Sequence, residues 1–294
     1  MLFYEFGNKA NPSILLIHGL GIVWWQLQAL YEPLSQNYHV IVPALDGHTL
    51  PFDNQPIPSC FTTLDSQAEQ IEQFLLEHSI SELHTVYGIS LGGSIAARLS
   101  ERAIIFKNRL IIDAGTIYNH LPAWAIKLSA NFQTINCRLT IRLYKLYQKI
   151  FHSPYYRAFV EGVYLTFPIG GENTIRNAYT AVFSYTARTL NAKQVEFWYG
   201  KKESWLQRPV SNHLLSIRPD AQIHVFPNMN HAQLLIDYPE EILKILKKQY
   251  KACATKEIEK KQSIICYFSE KVVPLAKICN KRTIINKRSV PKIQ

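Results

Sequence analysis

Long apolar runs are missing from this sequence. No stretch approaches the roughly 18–20 residues that a membrane-spanning helix needs. The opening residues, MLFYEFGNKANPS, lack a basic segment followed by an apolar one and do not read as a secretory signal. Cysteine is scarce: five in 294 residues, in no paired framework. With no export signal, this usage leads us to expect a cytoplasmic protein. Charged residues make up 18% against 47% hydrophobic, which argues against disorder over most of the length. No internal repeat is visible. Collagen, coiled-coil, membrane-channel and disulfide-scaffold readings are therefore set aside. What remains is a globular chain long enough to bury a substantial core.

The net charge of +10 is unevenly spread. Residues 251–294 hold 11 Lys/Arg against 3 Asp/Glu, so the body, with 21 against 19, is nearly neutral. A nucleic-acid footprint needs a basic face on the folded domain, and none is expected here. The segment 251–294 reads as a basic, mobile or weakly folded tail, with contact to anionic surfaces as its functional alternative. Its cysteines, Cys253, Cys266 and Cys279, are evenly spaced, but not at metal-ligand spacing, and no metal is expected.

The body alternates short apolar runs with helical patterns. Strands are expected at Ser13–Ile17, Tyr38–Val42 (ended by Pro43), His84–Tyr87, Arg109–Asp113, Val195–Tyr199 and Gln222–Phe226. A helix is expected from Leu64 to His78, with Leu64, Ala68, Ile71 and Leu75 on one face and a Thr as N-cap. A second amphipathic helix spans Pro239–Tyr250. This alternation predicts an α/β fold: a mostly parallel central sheet flanked by helices. Residues 116–192 show no strand pattern and carry 14 of the 35 aromatic residues. So long a segment is implausible as a bare loop and reads as an inserted helical cap. Its aromatics either pack a core or line a pocket. The expected division is 1–115 and 193–250 as core, 116–192 as cap and 251–294 as tail.

The chemistry concentrates in HTVYGISLGGSIAARLS, residues 84–100. Gly88-Ile89-Ser90-Leu91-Gly92 is a G-x-S-x-G pattern between a strand and a small-residue helix. A sharp strand-to-helix turn would lift the Ser90 hydroxyl out of the sheet, and only tiny residues fit where the backbones crowd. A plain Gly-rich turn is the alternative. A hydroxyl needs a base to accept its proton. His231, in PNMNHAQLLIDYPEEI, follows the last strand and so lies at the same sheet edge as Ser90. His18, His48, His120 and His152 lie in other loops or the cap and read as structural or solvent-exposed. The base in turn needs a carboxylate. Glu203 and Asp113 both end strands on this edge and both give the order Ser, acid, His. Glu203 is preferred, with Asp113 as the alternative acid. The backbone N–H groups of Leu20, in His18-Gly19-Leu20-Gly21, and of Leu91 are candidates for an oxyanion hole.

These segments resemble the α/β-hydrolase superfamily, in the branch with a helical cap. The resemblance rests on HGLG after a core strand, GISLGG at the turn, YGKKE after the cap and NHAQLLIDYPEE near the end, and spans residues 13–248. It implies a Ser90–His231–Glu203 triad, Leu20 and Leu91 at the oxyanion hole, and no cofactor. The segment Pro43-Ala44-Leu45-Asp46-Gly47-His48-Thr49 departs from the family's frequent P-D-x-x-G-H-G, and many relatives carry Asp where Glu203 stands. The short N-terminus implies that a first strand seen in relatives is missing. The expected function is a serine hydrolase of a small, partly apolar ester, thioester or amide. Carbon–carbon bond hydrolysis, acyl transfer and non-catalytic ligand binding on the same fold are the alternatives. Sequence leaves the oligomeric state open.

Overall fold

A computed structural model describes residues 1–50 and 57–247. The basic tail with Cys253, Cys266 and Cys279, and residues 248–250 of the expected closing helix, lie outside the described residues. Seven strands form one sheet: β1 (Leu2–Phe6), β2 (Ser13–Ile17), β3 (His39–Ala44), β4 (Glu82–Ile89), β5 (Phe106–Asp113), β6 (Gln194–Gly200) and β7 (Gln222–Phe226). Their order is β1-β3-β2-β4-β5-β6-β7, with β1 antiparallel to β3 and every other pairing parallel.

β2 and β3 are buried at every position, as strands covered on both faces must be. Alternate side chains of β2 serve opposite cores. Leu15 and Ile17 pack with α2 (Leu64–Glu77) and α3 (Leu91–Glu101). Ile14 and Leu16 pack with α1 (Gln28–Ser35) on the other face. In α2 the four apolar positions read from the sequence are all buried, Leu64, Ile71 and Leu75 each contributing about 1.5–3 kcal/mol. The Thr63 hydroxyl caps this helix by accepting from the Ser66 N–H at 3.1 Å.

Between β5 and β6 three helices are inserted: α4 (Ala123–Arg142), α5 (Tyr144–Ile150) and α6 (Pro154–Ser184). α6 breaks at Gly171, whose φ of 61° and ψ of −167° are not helical. α7 (Ser204–Ile217), α8 (Gln233–Asp237) and α9 (Pro239–Leu246) complete the chain. Among the described residues no helix is long and apolar enough to cross a membrane.

Two expectations are corrected. The N-terminus does form a first strand. β1 is an edge strand that needs pairing on one side only, and its register with β3 runs from Leu2↔Ala44 to Phe6↔Val40. Aromatic stacking secures both of its faces, Phe3 on Phe74 at 3.9 Å and Tyr4 on Trp24 at 3.8 Å. Nor does Pro43 end β3. The pairing of β3 with β2 stops at Ile41, so the missing N–H falls where β3 has only its outer neighbour.

Candidate active site

β4 delivers Ser90 to the carboxyl edge of the sheet, and α3 begins at the next residue. Ser90 itself has φ of 54° and ψ of −118°, a conformation that costs an L-residue about 1–3 kcal/mol. The turn holds this strain through three backbone hydrogen bonds. The Ser90 N–H donates to the Asp113 carbonyl at 2.7 Å, and the N–H groups of Gly93 and Ser94 donate to the Ser90 carbonyl at 2.9 and 3.2 Å. A β-carbon on Gly88 would lie 2.2 Å from the Gly92 carbonyl oxygen, and one on Gly92 would lie 2.2 Å from that of Ile17. The flanking glycines are therefore steric requirements of the turn.

His231 arrives on the loop after β7. This loop crosses the end of β6 so closely that a β-carbon on Gly200 would sit 2.4 Å from the Met229 carbonyl oxygen. The Lys202 N–H donates to the same carbonyl at 3.1 Å. That crossing brings Glu203, in the short helical turn after β6, beneath the imidazole. His231 Nε2 lies 2.8 Å from Ser90 Oγ, and His231 Nδ1 lies 2.8 Å from Glu203 Oε2. From α6, the Tyr155 hydroxyl donates to the His231 carbonyl at 2.8 Å.

The two candidate acids sit differently. Burial opposes the charge of Glu203, but hydrogen bonds from His231, the Gly200 N–H (3.1 Å) and the Gln207 amide (3.2 Å) hold its pKa below the usual value. Burial likewise opposes protonation of His231, yet the bond to Glu203 and the carboxylate charge raise its pKa above the ordinary 6.5. Asp113 lies on the sheet face of Ile111 and accepts from the Tyr87 hydroxyl at 2.7 Å. Burial, with the Glu203 charge nearby, pushes its pKa up to about 7. It makes no hydrogen bond to His231 among the described residues.

The His18–Gly21 loop passes beside the same point. A β-carbon on Gly19 would lie 3.3 Å from Cβ of Ser90. Two buried histidines fix this loop. His18 Nε2 accepts the Leu45 N–H at 3.1 Å, and its Nδ1 therefore donates to the Gly19 carbonyl at 2.9 Å. His48 Nε2 accepts the Gly21 N–H at 3.0 Å. Burial holds their pKa values at about 3 and about 4, so both are neutral. The sequence leaves both as structural or exposed. The structure makes them structural, anchored to the loop that carries Leu20. Leu20, Leu91, Ser90, Glu203 and His231 all border a cavity of about 320 Å³. Its other walls come mainly from the inserted helices, among them Phe159, Val163, Phe167, Ile175, Ala178 and Val182. Polar groups are few, as in pockets for small, largely apolar ligands.

Sequence reasoning did not find Gln207, Tyr155 or the loop-anchoring use of His48. Only Gln207 had a local signal, one helical turn after Glu203. Among the described residues no group of three or more His, Cys, Asp and Glu is placed to hold a metal ion.

A strained serine between strand and helix, on a sheet with helices inserted after β5, defines a class. The chain belongs to the alpha/beta hydrolase family, which it matches over residues 14–245. It is 32% identical over 123 residues to an AB hydrolase superfamily protein of Gibberella zeae, a match covering 40% of this chain and only 40% of that relative's length. An alpha/beta hydrolase family protein from Desulfitobacterium hafniense superposes with a TM-score of 0.66, at 24% identity, over 83% of this chain and 98% of that one. A carboxylesterase structure from Nitrososphaera gargenis gives 0.63 at 16% identity, over 83% and 92%. At these identities the likeness speaks for the fold alone.

Proposed function

We propose that the protein is a serine hydrolase that cleaves an ester, thioester or amide bond of a small, partly apolar substrate. The observation that carries this reading is the unbroken chain of two 2.8 Å hydrogen bonds from Ser90 through His231 to Glu203, at the wall of an apolar cavity. In the resting state Glu203 accepts Nδ1–H, which leaves Nε2 free to accept the Ser90 hydroxyl proton. Ser90 Oγ then attacks the carbonyl carbon, and its proton passes to Nε2. Glu203 stabilises the imidazolium. The oxyanion rests on the N–H groups of Leu20 and Leu91, aided by the positive end of the 11-residue α3. Each such donor is worth about 3–4 kcal/mol in the transition state. The imidazolium returns its proton to the leaving group, and an acyl-enzyme remains. Water, deprotonated by His231, releases the acid and restores Ser90.

We read the inserted helices, within 116–192, as a cap that shapes the acyl or alcohol side of this cavity. Asp113, which accepts the Tyr87 hydroxyl, acts as a buried neighbour rather than as the triad acid. A serine at position 90 also speaks against the covalent chemistry of relatives that use aspartate there. Fluorophosphonate labelling tests the proposal. The wild type should label at Ser90 and Ser90→Ala should not. Equal labelling of both, or none of the wild type, would refute it. A series of p-nitrophenyl esters then distinguishes simple ester cleavage from a narrower activity.

A further inference from the structure

α4 is apolar on two faces, and among the described residues only one is covered. Ile126, Ala130, Thr134 and Cys137 are buried, on the side that packs against α6. Trp124, Leu128, Phe132, Ile135 and Leu139 are 43–70% exposed. At about 100° per residue these five fall within an arc of about 80°, roughly opposite the packed side. Leu143, at the junction of α4 and α5, and Leu146 and Ile150 of α5 are also exposed. Single exposed leucines are ordinary; eight exposed large apolar residues from position 124 to 150 mark a surface built for contact.

The helices that carry this stripe bear charge of one sign. Between Asp113 and Glu161 the sequence holds six Lys/Arg and no Asp/Glu. Arg138 is paired with Glu172. Lys127, Arg142, Lys145 and Lys149 are exposed and form no ion pair among the described residues. By the same helical arithmetic, Lys127 and Arg142 border the apolar arc of α4, and Lys145 and Lys149 flank Leu146 and Ile150 on α5.

We propose that the outer face of α4 and α5 docks on an anionic lipid bilayer. A large apolar face bordered by Lys and Arg is the pattern of a helix that lies in the membrane interface, with its cations on the headgroups. Charge decides against the other occupants. A second copy of the chain would bring two predominantly cationic borders together. The segment 251–294 has itself 11 Lys/Arg against 3 Asp/Glu, so like charges oppose it as a cover. The location also has a use. Gln133 and Cys137, on the inner side of α4, line the cavity, so the helix resting on lipid is also a wall of that chamber. This proposal goes beyond the hydrolytic one and stands without it.

The test is sedimentation of the full chain with vesicles of phosphatidylcholine alone, or with phosphatidylglycerol added. The wild type should bind the anionic vesicles, bind the neutral ones weakly, and be released by salt. Two variants probe the surface: Leu128→Asp with Phe132→Asp, and Lys145→Glu with Lys149→Glu. Each should weaken binding by about tenfold or more, with an unchanged melting temperature, because all four side chains are exposed. Wild-type binding equal to that of the Leu128/Phe132 variant would assign any lipid affinity to the basic tail and overturn the proposal. No binding by the wild type would overturn it too. So would a dimer in sedimentation velocity that the Leu128/Phe132 variant dissociates, which would make the stripe a contact between copies.

Discussion

Replacing Glu203 by glutamine changes one oxygen for an NH2 group and little else in volume, so it isolates the charge and the hydrogen-bond direction. In the native site Oε1 accepts the Gly200 N–H, while Oε2 accepts from both His231 Nδ1 and Gln207. A glutamine at 203 has only one accepting oxygen. If it keeps the Gly200 bond, its NH2 group points at His231 Nδ1. Nδ1 must then accept, the ring proton moves to Nε2, and Nε2 can no longer take the Ser90 proton. An isosteric change that imposes the wrong tautomer in a serine–histidine–acid arrangement lowers kcat by about 10⁴. We expect a loss of about 10³–10⁴ here, equivalent to ~4–5.5 kcal/mol of transition-state stabilisation, with KM little changed. Asp113→Asn is the control. Asp113 bonds Tyr87 rather than His231, and an asparagine oxygen still accepts that hydroxyl. Its loss of kcat should stay within about tenfold. The assay is steady-state hydrolysis of the preferred p-nitrophenyl ester, with melting temperatures to show that both variants fold. A Glu203→Gln enzyme within tenfold of the wild type, or a larger loss in Asp113→Asn, would refute the assignment of Glu203 as the acid.

Other outcomes follow from the same geometry. Because Glu203 raises the His231 pKa, kcat/KM should rise with pH through an apparent pKa above 6.5, and Glu203→Gln should move that limb to lower pH. His18 and His48 are neutral when folded, with pKa values of about 3 and about 4, but titrate near 6.5 when unfolded. The unfolded state therefore binds more protons below 6.5, and their contribution is full above 6.5 and lost as pH falls toward those values. His48→Gln should flatten the decline of melting temperature across that window relative to the wild type; an unchanged decline would show that His48 is not buried neutral. Gly92→Ala drives a methyl to 2.2 Å from the Ile17 carbonyl oxygen and should prevent recovery of folded protein, as judged by circular dichroism. Ala178→Leu puts bulk into the cavity wall and should shift the ester profile toward shorter acyl chains; an unchanged profile would place the acyl chain elsewhere.

Local chemistry decided much of this protein. The short apolar runs around Leu15, Ile41, Val86, Ile111 and Phe197, rich in β-branched residues, read as strands buried on two faces, and the 64–77 helix follows from its spacing and cap. Ser90 was legible because its neighbours are constrained over a few residues: glycines that no side chain could replace, a strand before and a helix after. Tertiary structure alone decided the rest. Glu203 and Asp113 stand at the ends of adjacent strands with similar credentials. Only the close crossing of Gly200 by the Met229 segment puts one of them against His231, while the pleat turns the other toward Tyr87. β1 is as long as β2 and β7 and its aromatic residues suit a strand, but it pairs only because β3 offers an open edge, which no local pattern records. The pattern of α4 shows apolar residues on two sides without saying which is covered. That depends on where α6 lies, a contact between segments dozens of residues apart that no local periodicity records.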